Sequence, residues 1–439
     1  MDTNKHMVLA ERILDNLAKR GIKEAEVSVY EMESSKFSWR DGRQEESVGD
    51  SKISLGVSLY REGRNSYQGT NDLRPSRLDA FLDRGVAILD LVPPDPYASL
   101  PDARLLGAAD FDPQTFDPRI ETRDAAHRIE GIKEMYEYLR SHDERVFEAG
   151  AWDYQNRDLN TRVYSNGYSH SHKQTWFDVG CSASLMDPAG KRPSSWYTSP
   201  TRMTSRLLSP EVLAAESLDR GQKLLGQGPE PGGTYDIILH REVAGWLVGS
   251  LLDGISGGAL DQKQTIYEGR KGEAIGPSFI TLREDPFIPG WYASRNSDWD
   301  GFPARRRDIL RGGVLEDYLI GWYYSKKLGL PPNGGDVTNL VLEPGTASLE
   351  DLVSSVDKGI LVQGFNGGNS NATTGDFSVG INGFLINNGH LDRPVNEMTM
   401  SGNFRDVWQN IEALGNEPFD RGSLMCPSIK LGAMTVAGI

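Results

Sequence analysis

Hydrophobic positions in the first half of the chain alternate between the helical and the strand period. Apolar residues at helical spacing predict four helices, the first ending before Gly21 and the others covering 76–91, 122–142 and 210–225. Strand-like alternation predicts β-strands at 24–30, 36–39 and 53–60, and a meander over 147–197. This order predicts an α+β fold whose N-terminal part is an α/β domain of antiparallel meander sheets with flanking helices.

The second half of the chain is dominated by short apolar runs separated by glycine. A strand at 235–239 and a helix at 242–255 come first, and they are followed by a hairpin at 309–319 and a short helix at 323–328. Between Lys358 and Phe404 the runs are too short for helices and are β-branched or aromatic, so they predict strands. Asn388-Gly389 predicts a hairpin turn between two of them, because a type I′ turn needs positive φ at both central residues. We therefore expect a β-rich C-terminal domain with a glycine-kinked, curved antiparallel sheet.

Residues 226–233, with two prolines and four glycines, form the strongest predicted domain boundary because they cannot continue a helix. The expected domains are 1–225 and 234–439, with 226–233 as linker. A stretch rich in proline and aspartate follows residue 91, so the N-terminal domain is either one unit or two, 1–95 and 116–225.

Two features of the second half are candidates for peptide recognition. Glycine inside strands marks bends or the close approach of another backbone, so the glycines either curve the sheet or open a groove for an extended peptide. Arg306, within a run of three arginines, either pairs with acidic neighbours or holds a peptide carboxylate. The candidate groove residues are Gly364, Gly367, Gly368, Gly375 and Arg306.

Composition and charge narrow the classes of function. Of the 439 residues, 38% are hydrophobic and 25% are charged, as in ordinary globular proteins. The net charge of -15 argues against a surface that binds nucleic acid directly. No apolar run is long enough to cross a membrane, and the charged N-terminus lacks the apolar core of a signal peptide. Together with only two cysteines, these features predict a cytoplasmic protein with no membrane contact.

Several segments near the C-terminus resemble one known family. The glycine-rich run from Gly364 to Gly383, the segment Met-Thr-Met-Ser-Gly-Asn at 398–403 and the two C-terminal segments 426–428 and 434–438 are similar to the TldD/PmbA family. This family comprises bacterial and archaeal proteins once labelled modulators of DNA gyrase and now regarded as a peptidase system. The similarity covers nearly the whole chain and is strongest from Tyr235 onward.

The resemblance also locates a metal site, and this chain departs from it. Catalytic members carry His-Glu-x-x-x-His on the helix after the first strand of the C-terminal domain, where two imidazoles bind zinc and the glutamate takes a proton from zinc-bound water. The matching positions here are Gly249, Ser250 and Gly254, and none of the seven histidines is followed by glutamate. The resemblance therefore implies the PmbA/TldE-like branch, with no cofactor in this chain and zinc only in a catalytic partner.

Weaker metal candidates remain in the sequence. His170-Ser171-His172 would place both rings on one face of a strand, although its polar neighbours favour an ordinary exposed strand. His240, Asp253 and Cys426, the counterpart of the family's cysteine ligand, form a fallback set for an unorthodox site. Each has a simpler interpretation, namely a capping histidine, a surface carboxylate and a small buried residue.

The resemblance implies a component of a metallopeptidase system that acts on unfolded or flexible peptides. The expected partners are an extended peptide and a metal-bearing TldD-like homologue, or a second copy of this chain. One alternative is a stand-alone homodimer that binds peptides or small ligands without catalysis. The other is a peptidase with an unorthodox metal site, so whether this chain is itself an enzyme stays open.

Overall fold

The computed structural model describes residues 1–438 and shows an α+β protein. The N-terminal helices and strands are α1 (Thr3–Lys19), β1 (Glu24–Arg40), β2 (Arg43–Arg61), β3 (Arg64–Thr70), α2 (Pro75–Leu91), α3 (Ala125–His142), β4 (Val146–Tyr164), β5 (Ser169–Leu185), β6 (Ser194–Thr201) and α4 (Pro210–Lys223). The strands form one antiparallel sheet in the order β3-β2-β1-β4-β5-β6. The central pair is β1 and β4, so the sheet joins the segments 1–95 and 116–225, and their division into domains stays a prediction.

The helices of the N-terminal part cover one face of this sheet because each has an apolar stripe. Ile13 and Leu17 of α1 and Phe81 and Leu82 of α2 are buried against β1 and β2. Helices α3 and α4 pack in the same way on β4 and β5. Side-chain caps fix the starts of several helices, as where Ser209 Oγ accepts from the Val212 amide ahead of α4.

The predicted strands 24–30 and 36–39 are parts of the single strand β1, so their separation was wrong. The polar residues between them show no apolar alternation, which made the break plausible. In the structure their backbone pairs on both sides, as Glu31 does with Ile53 of β2 and Leu159 of β4. Backbone hydrogen bonds to two neighbouring strands thus hold a segment extended whatever its side chains.

The C-terminal part is richer in β-structure. Its helices and strands are β7 (Gly233–Leu239), α5 (Gly245–Gly254), α6 (Gly257–Asp261), β8 (Leu282–Glu284), β9 (Arg307–Arg311), β10 (Val314–Leu315), α7 (Trp322–Leu328), β11 (Leu340–Leu342), α8 (Leu349–Ser354), β12 (Lys358–Ser370), β13 (Asp376–Asn387), β14 (His390–Asn403), α9 (Phe404–Gln409), β15 (Ile411–Leu414), β16 (Leu424–Met425) and β17 (Ile429–Ala437). One sheet has the order β14-β13-β12-β7-β17-β15, and a second has the order β10-β9-β8-β11-β16.

The larger C-terminal sheet closes on itself, because Thr399–Ser401 of β14 also pair with residues 435–437 of β17. Most of its pairs are antiparallel, while β12 and β7 are parallel. Register shifts in β12 at Val362/Gly364 and Phe365/Gly368 bend the sheet where the sequence is richest in glycine. The predicted curved sheet is confirmed.

Two predicted turns have the expected backbone. Asn388 and Gly389 join β13 to β14 with φ of 48° and 77°, the positive values that a type I′ turn needs. Gly312 and Gly313 join β9 to β10 with φ of 56° and 76°. The helix predicted over 242–255 begins later, at Gly245, because the amides of Val243 and Ala244 instead bond the His240 carbonyl in a turn.

No helix within residues 1–438 combines the length and the apolar character needed to cross a bilayer.

Candidate functional site

Helix α5 carries the positions Gly249, Ser250 and Gly254, at which the resemblance predicts the zinc site of catalytic relatives. One face is buried in the core through Leu247, Val248 and Leu251. The other face carries Trp246 and, one turn later, Gly249 and Ser250, all partly exposed. The Trp246 ring anchors this helix to the curved sheet, with centroids 5.0 Å from those of both Phe365 and Phe377 and 5.2 Å from that of Phe404.

The three family positions do not fit a zinc ion. A Cβ built on Gly249 would meet no atom within 4 Å, so there is space but no ligand atom. Ser250 Oγ donates to the Leu247 carbonyl at 2.7 Å, within the helix itself. A Cβ on Gly254 would lie 2.6 Å from the Tyr267 ring, so the core is packed around the missing side chain. These positions offer no imidazole, thiolate or carboxylate to a metal.

The fallback residues lie in three different environments. His240 Nδ1 is 3.5 Å from the Glu242 amide nitrogen, and burial lowers the pKa of this histidine to about 4. Asp253 is exposed on α5. Cys426 is fully buried, and burial raises the pKa of its thiol. They do not form the unorthodox site, since no three His, Cys, Asp or Glu side chains within residues 1–438 gather as metal ligands would.

The predicted peptide groove corresponds to a strand with one free edge. Strand β12 pairs with β7 only from Gly359 to Val362, whereas it pairs with β13 as far as Ser370. Among residues 1–438, no strand pairs with 363–370 on the side away from β13, and this segment is mostly exposed. We call residues 363–370 the free edge. Through Phe365 it lies beside the Trp246 face of α5.

Contacts and backbone angles within the sheet explain why the groove positions are glycine. A Cβ on Gly364 would lie 2.6 Å from the Asn382 side chain, and one on Gly368 would lie 2.5 Å from the Ser378 carbonyl oxygen. Gly368 also has a φ of 141°, which side chains rarely adopt. Gly367 and Gly375 have positive φ at the bulge and at the turn before β13. These contacts account for the bends, and peptide binding there stays a prediction.

Arg306 lies apart from the groove glycines. It precedes β9 in the other sheet, where its Nε donates to Asp285 at 2.9 Å and its guanidinium lies 5.5 Å from the centroid of the Phe287 ring. The pairing with an acidic neighbour matches the simpler of its two interpretations.

The strand with His170 and His172 is not an ordinary exposed strand. Both imidazoles line a cavity between the N-terminal sheet and residues 292–299 of the C-terminal part. His170 Nε2 lies 2.8 Å from Asn296 Oδ1, and burial lowers the pKa of His172 to about 4. The flanking residues Ser165, Asn166 and Ser169 are exposed as expected, but the two histidine side chains face residues 292–299 of the other half of the chain.

Sequence reasoning missed the other polar residues of this cavity, although a signal was present. Polar residues alternate at Asp158, Asn160 and Arg162 on β4, and directly opposite them stand Gln174, His172 and His170 on β5. Alternation with a period of two places all six on one face of the sheet. From the sequence alone such a polar face is predicted to be exposed to solvent, because nothing local shows that a distant segment of the chain covers it.

Comparison with known proteins relates the whole chain to one family. The model of the PmbA/TldA metallopeptidase C-terminal domain matches residues 232–438. Metalloprotease PmbA of Escherichia coli O157:H7 is 29% identical over 419 residues, 94% of this chain and 92% of that protein. A crystal structure from Bacteroides thetaiotaomicron, described as a proposed modulator of DNA gyrase, is 30% identical, covers 100% of both chains and superposes with a TM-score of 0.96.

A third relative shares the fold. TldE from Thermococcus kodakarensis is 21% identical and superposes with a TM-score of 0.85 over 98% of this chain and 100% of that one. The fold and these matches define a protein whose C-terminal domain is of the metallopeptidase type. The chain belongs to the PmbA/TldD metallopeptidase family, in which similar proteins are named metalloprotease PmbA and its homologue.

Proposed function

We propose that this chain is the non-catalytic, TldE-like component of a cytoplasmic peptidase system, and that a metal-bearing TldD-like homologue supplies catalysis. The observation that carries the proposal is the lack of metal-binding side chains on α5. Gly249, Ser250 and Gly254 stand where a zinc peptidase needs its ligands and its general base. The ring of Tyr267 stands where a side chain at position 254 would begin. The core packing therefore leaves no room for a ligand side chain at position 254.

The free edge provides a physical route by which this component binds substrate. An extended peptide can add as a further strand beside residues 363–370, since the unpaired amides and carbonyls of an edge are ready hydrogen-bond partners. Main-chain hydrogen bonds depend little on side chains, which suits unfolded or flexible peptides of varied sequence. The position of the edge beside α5 supports a shared chamber, because the catalytic partner's zinc would lie on the equivalent helix.

The experiment combines metal analysis with peptide cleavage. The purified chain is expected to contain far less than one equivalent of transition metal and to leave an unfolded protein such as reduced casein intact. Addition of a TldD-like homologue is expected to give cleavage that exceeds that of the homologue alone. Stoichiometric zinc together with cleavage by the isolated chain would overturn the proposal.

The oligomeric state separates the proposal from its main alternative. Light scattering of the mixture is expected to show a complex of this chain with the homologue. A stable homodimer that neither binds the homologue nor changes its cleavage rate would instead favour a stand-alone binding protein. The cytoplasmic location agrees with Cys181 and Cys426, both unpaired and buried.

A further inference from the structure

A polar cavity lies between the two halves of the chain, away from α5 and the free edge. Its volume is about 330 Å³, at the lower end of the roughly 300–1,000 Å³ typical of small-molecule pockets. The floor is the polar face of the N-terminal sheet, and residues 292–299 and 336–337 form the roof. Direct bonds hold the two sides together, including Tyr168 Oη to Ser297 Oγ at 2.7 Å and two bonds from Arg202 to the Tyr292 carbonyl.

The charges that line the cavity are balanced. Three carboxylates and three guanidinium groups face it, those of Asp158, Asp298, Asp336, Arg162, Arg202 and Arg295. Arg295 pairs with Asp336 at 2.6 Å, and Arg162 pairs outside the lining with Glu26 at 2.8 Å. Asp158 is only 4% exposed, yet the amide of Gln174 is the one side-chain donor that bonds it among residues 1–438.

The residues that line the cavity include one hydrogen-bond donor atom and one acceptor atom that have no partner in the part of the chain that the structure describes. Nε of Arg295 is a buried donor with no acceptor among residues 1–438, and Oδ1 of Asn160 is a buried acceptor with no donor there. Leaving such atoms unpaired costs roughly 1–3 kcal/mol each, more for charged groups. Arg295, Asn160 and Asp158 all line the cavity, and a ligand that brings both an acceptor and a donor would satisfy them once the shielded Nε and Oδ1 atoms turn toward it.

We propose that this cavity binds a small zwitterion, a free amino acid or a short peptide, whose carboxylate meets Arg295 and Arg202 and whose ammonium group meets Asp158 and Asn160. A carboxylate accepts from guanidinium donors in the strong, charge-assisted way that Arg295 Nε leaves open. An ammonium group supplies the donors that Asp158 and Asn160 lack. Burial raises the pKa of Asp158 to about 6, although the hydrogen bond from Gln174 and the positive charge of Arg202 act in the opposite direction.

Other ligand classes match the lining less well. A phosphate would bring two negative charges close to the carboxylates of Asp158 and Asp298. A metal ion would need three clustered ligands, which are not found within residues 1–438. The zwitterion carries no net charge, and the charges of the lining groups also sum to zero. Amino acids and short peptides are also what peptide hydrolysis releases, but the cavity is complete in a single chain, so its test does not depend on the proposed function.

Calorimetric titration of the isolated full-length chain tests the proposal. The probes are L-leucine, glycylglycine and leucylglycine, with N-acetyl-leucine amide and inorganic phosphate as controls. Saturable binding of at least one zwitterion, with no binding of the capped amide or phosphate, is the expected result. Binding of leucine alone would identify a free amino acid, whereas binding of the dipeptides alone would identify a peptide. Binding of the capped amide or phosphate in preference, or no binding of any zwitterion, would overturn the proposal.

Variants assign the two ends of the ligand. Arg295→Gln removes the charged donor and Asp158→Asn removes the charged acceptor, and each is expected to weaken binding about tenfold to hundredfold, the worth of a hydrogen bond to a charged group. Arg104→Gln, at a side chain that is 88% exposed and outside the cavity, is the matched control and should leave affinity unchanged. Asp158→Asn keeps the size of the side chain, so it remains informative even if Arg295→Gln fails to fold. Unchanged affinity in a folded Asp158→Asn variant would overturn the placement of the ammonium group.

Discussion

At the scale of single residues, the two glycines of α5 show how similar sequence positions acquire different physical roles. Gly249 lies on the partly exposed face with open space around it, whereas Gly254 lies on the buried face against Tyr267. Glycine costs a helix interior about 1 kcal/mol relative to alanine because its backbone is freer when unfolded. The same substitution at the two positions should therefore have opposite effects.

Gly249→Ala is expected to raise the free energy of unfolding by up to about 1 kcal/mol. Gly254→Ala is expected to lower it by roughly 1–3 kcal/mol, because the new methyl group overpacks the core at the Tyr267 ring. Urea unfolding followed by circular dichroism measures both. Equal effects of the two substitutions would contradict the different packing of the two faces.

The buried histidine of the cavity gives a pH prediction at the same scale. Burial lowers the pKa of His172 to about 4, whereas the unfolded value is about 6.5. As pH falls through 6.5 the unfolded chain takes up a proton that the folded chain does not bind until pH 4. His172 therefore lowers stability progressively over that window, by on the order of 2 kcal/mol at pH 5.

The variant His172→Gln should accordingly lose less stability than the natural chain between pH 7 and pH 5, as measured by urea unfolding at each pH. The comparison is made between variants because Asp158 acts in the opposite direction. Burial raises its pKa to about 6, so it contributes stability below about pH 3.8 that is lost as pH rises through 6. Parallel pH profiles for the two proteins would show that His172 is not responsible.

At the scale of elements, β12 divides into two parts with different pairing. Its first residues, 359–362, have partners on both sides, in β7 and β13, whereas the free edge has a partner only in β13. The two parts belong to one strand, and the free edge is also more exposed and less regular than residues 359–362. They therefore provide an internal comparison for strand addition.

Binding of a short unstructured peptide is expected to slow hydrogen exchange of amides within residues 363–370, because strand addition supplies the missing acceptors. Residues 359–362, already paired on both sides, should not change. Mass spectrometry of peptic fragments, with and without the peptide, makes the comparison. Protection elsewhere in the chain but not on the free edge would argue against strand addition there.

At the scale of the whole molecule, the predicted linker, residues 226–233, joins two halves that already contact each other closely. Bonds cross between them at His170 and Asn296, at Tyr168 and Ser297, and at Arg220 and Glu242, the last an ion pair at 2.6 Å. The linker itself packs on β14, where Gly228 accepts from the Asn396 amide. The covalent connection thus adds little to an interface built from side chains.

A protease recognition sequence inserted after Gly226 and then cleaved should give two fragments that remain together on gel filtration. The interface bonds that cross the cavity walls are expected to hold them without the linker. Arg220→Met, which removes the ion pair with Glu242, is expected to weaken the association without abolishing it. Separation, at micromolar concentration, of the cleaved fragments that retain Arg220 would contradict this prediction.

Local patterns were enough to predict much of this protein. The amphipathic helices, the hairpin at Asn388-Gly389 and the curved glycine-rich sheet depend on neighbouring residues, and the structure confirms them. The absence of ligand side chains at Gly249, Ser250 and Gly254 is also a property of the sequence alone, once the resemblance identifies the positions.

The tertiary structure decided what depends on residues far apart in the chain. Pairing with β2 and β4 makes the polar segment of β1 part of a continuous strand. The roof formed by residues 292–299 turns a row of polar residues that looks exposed in the sequence into a cavity. A side chain's period along a strand specifies the face on which it lies. What covers that face is set by contacts between distant segments, which no local pattern records.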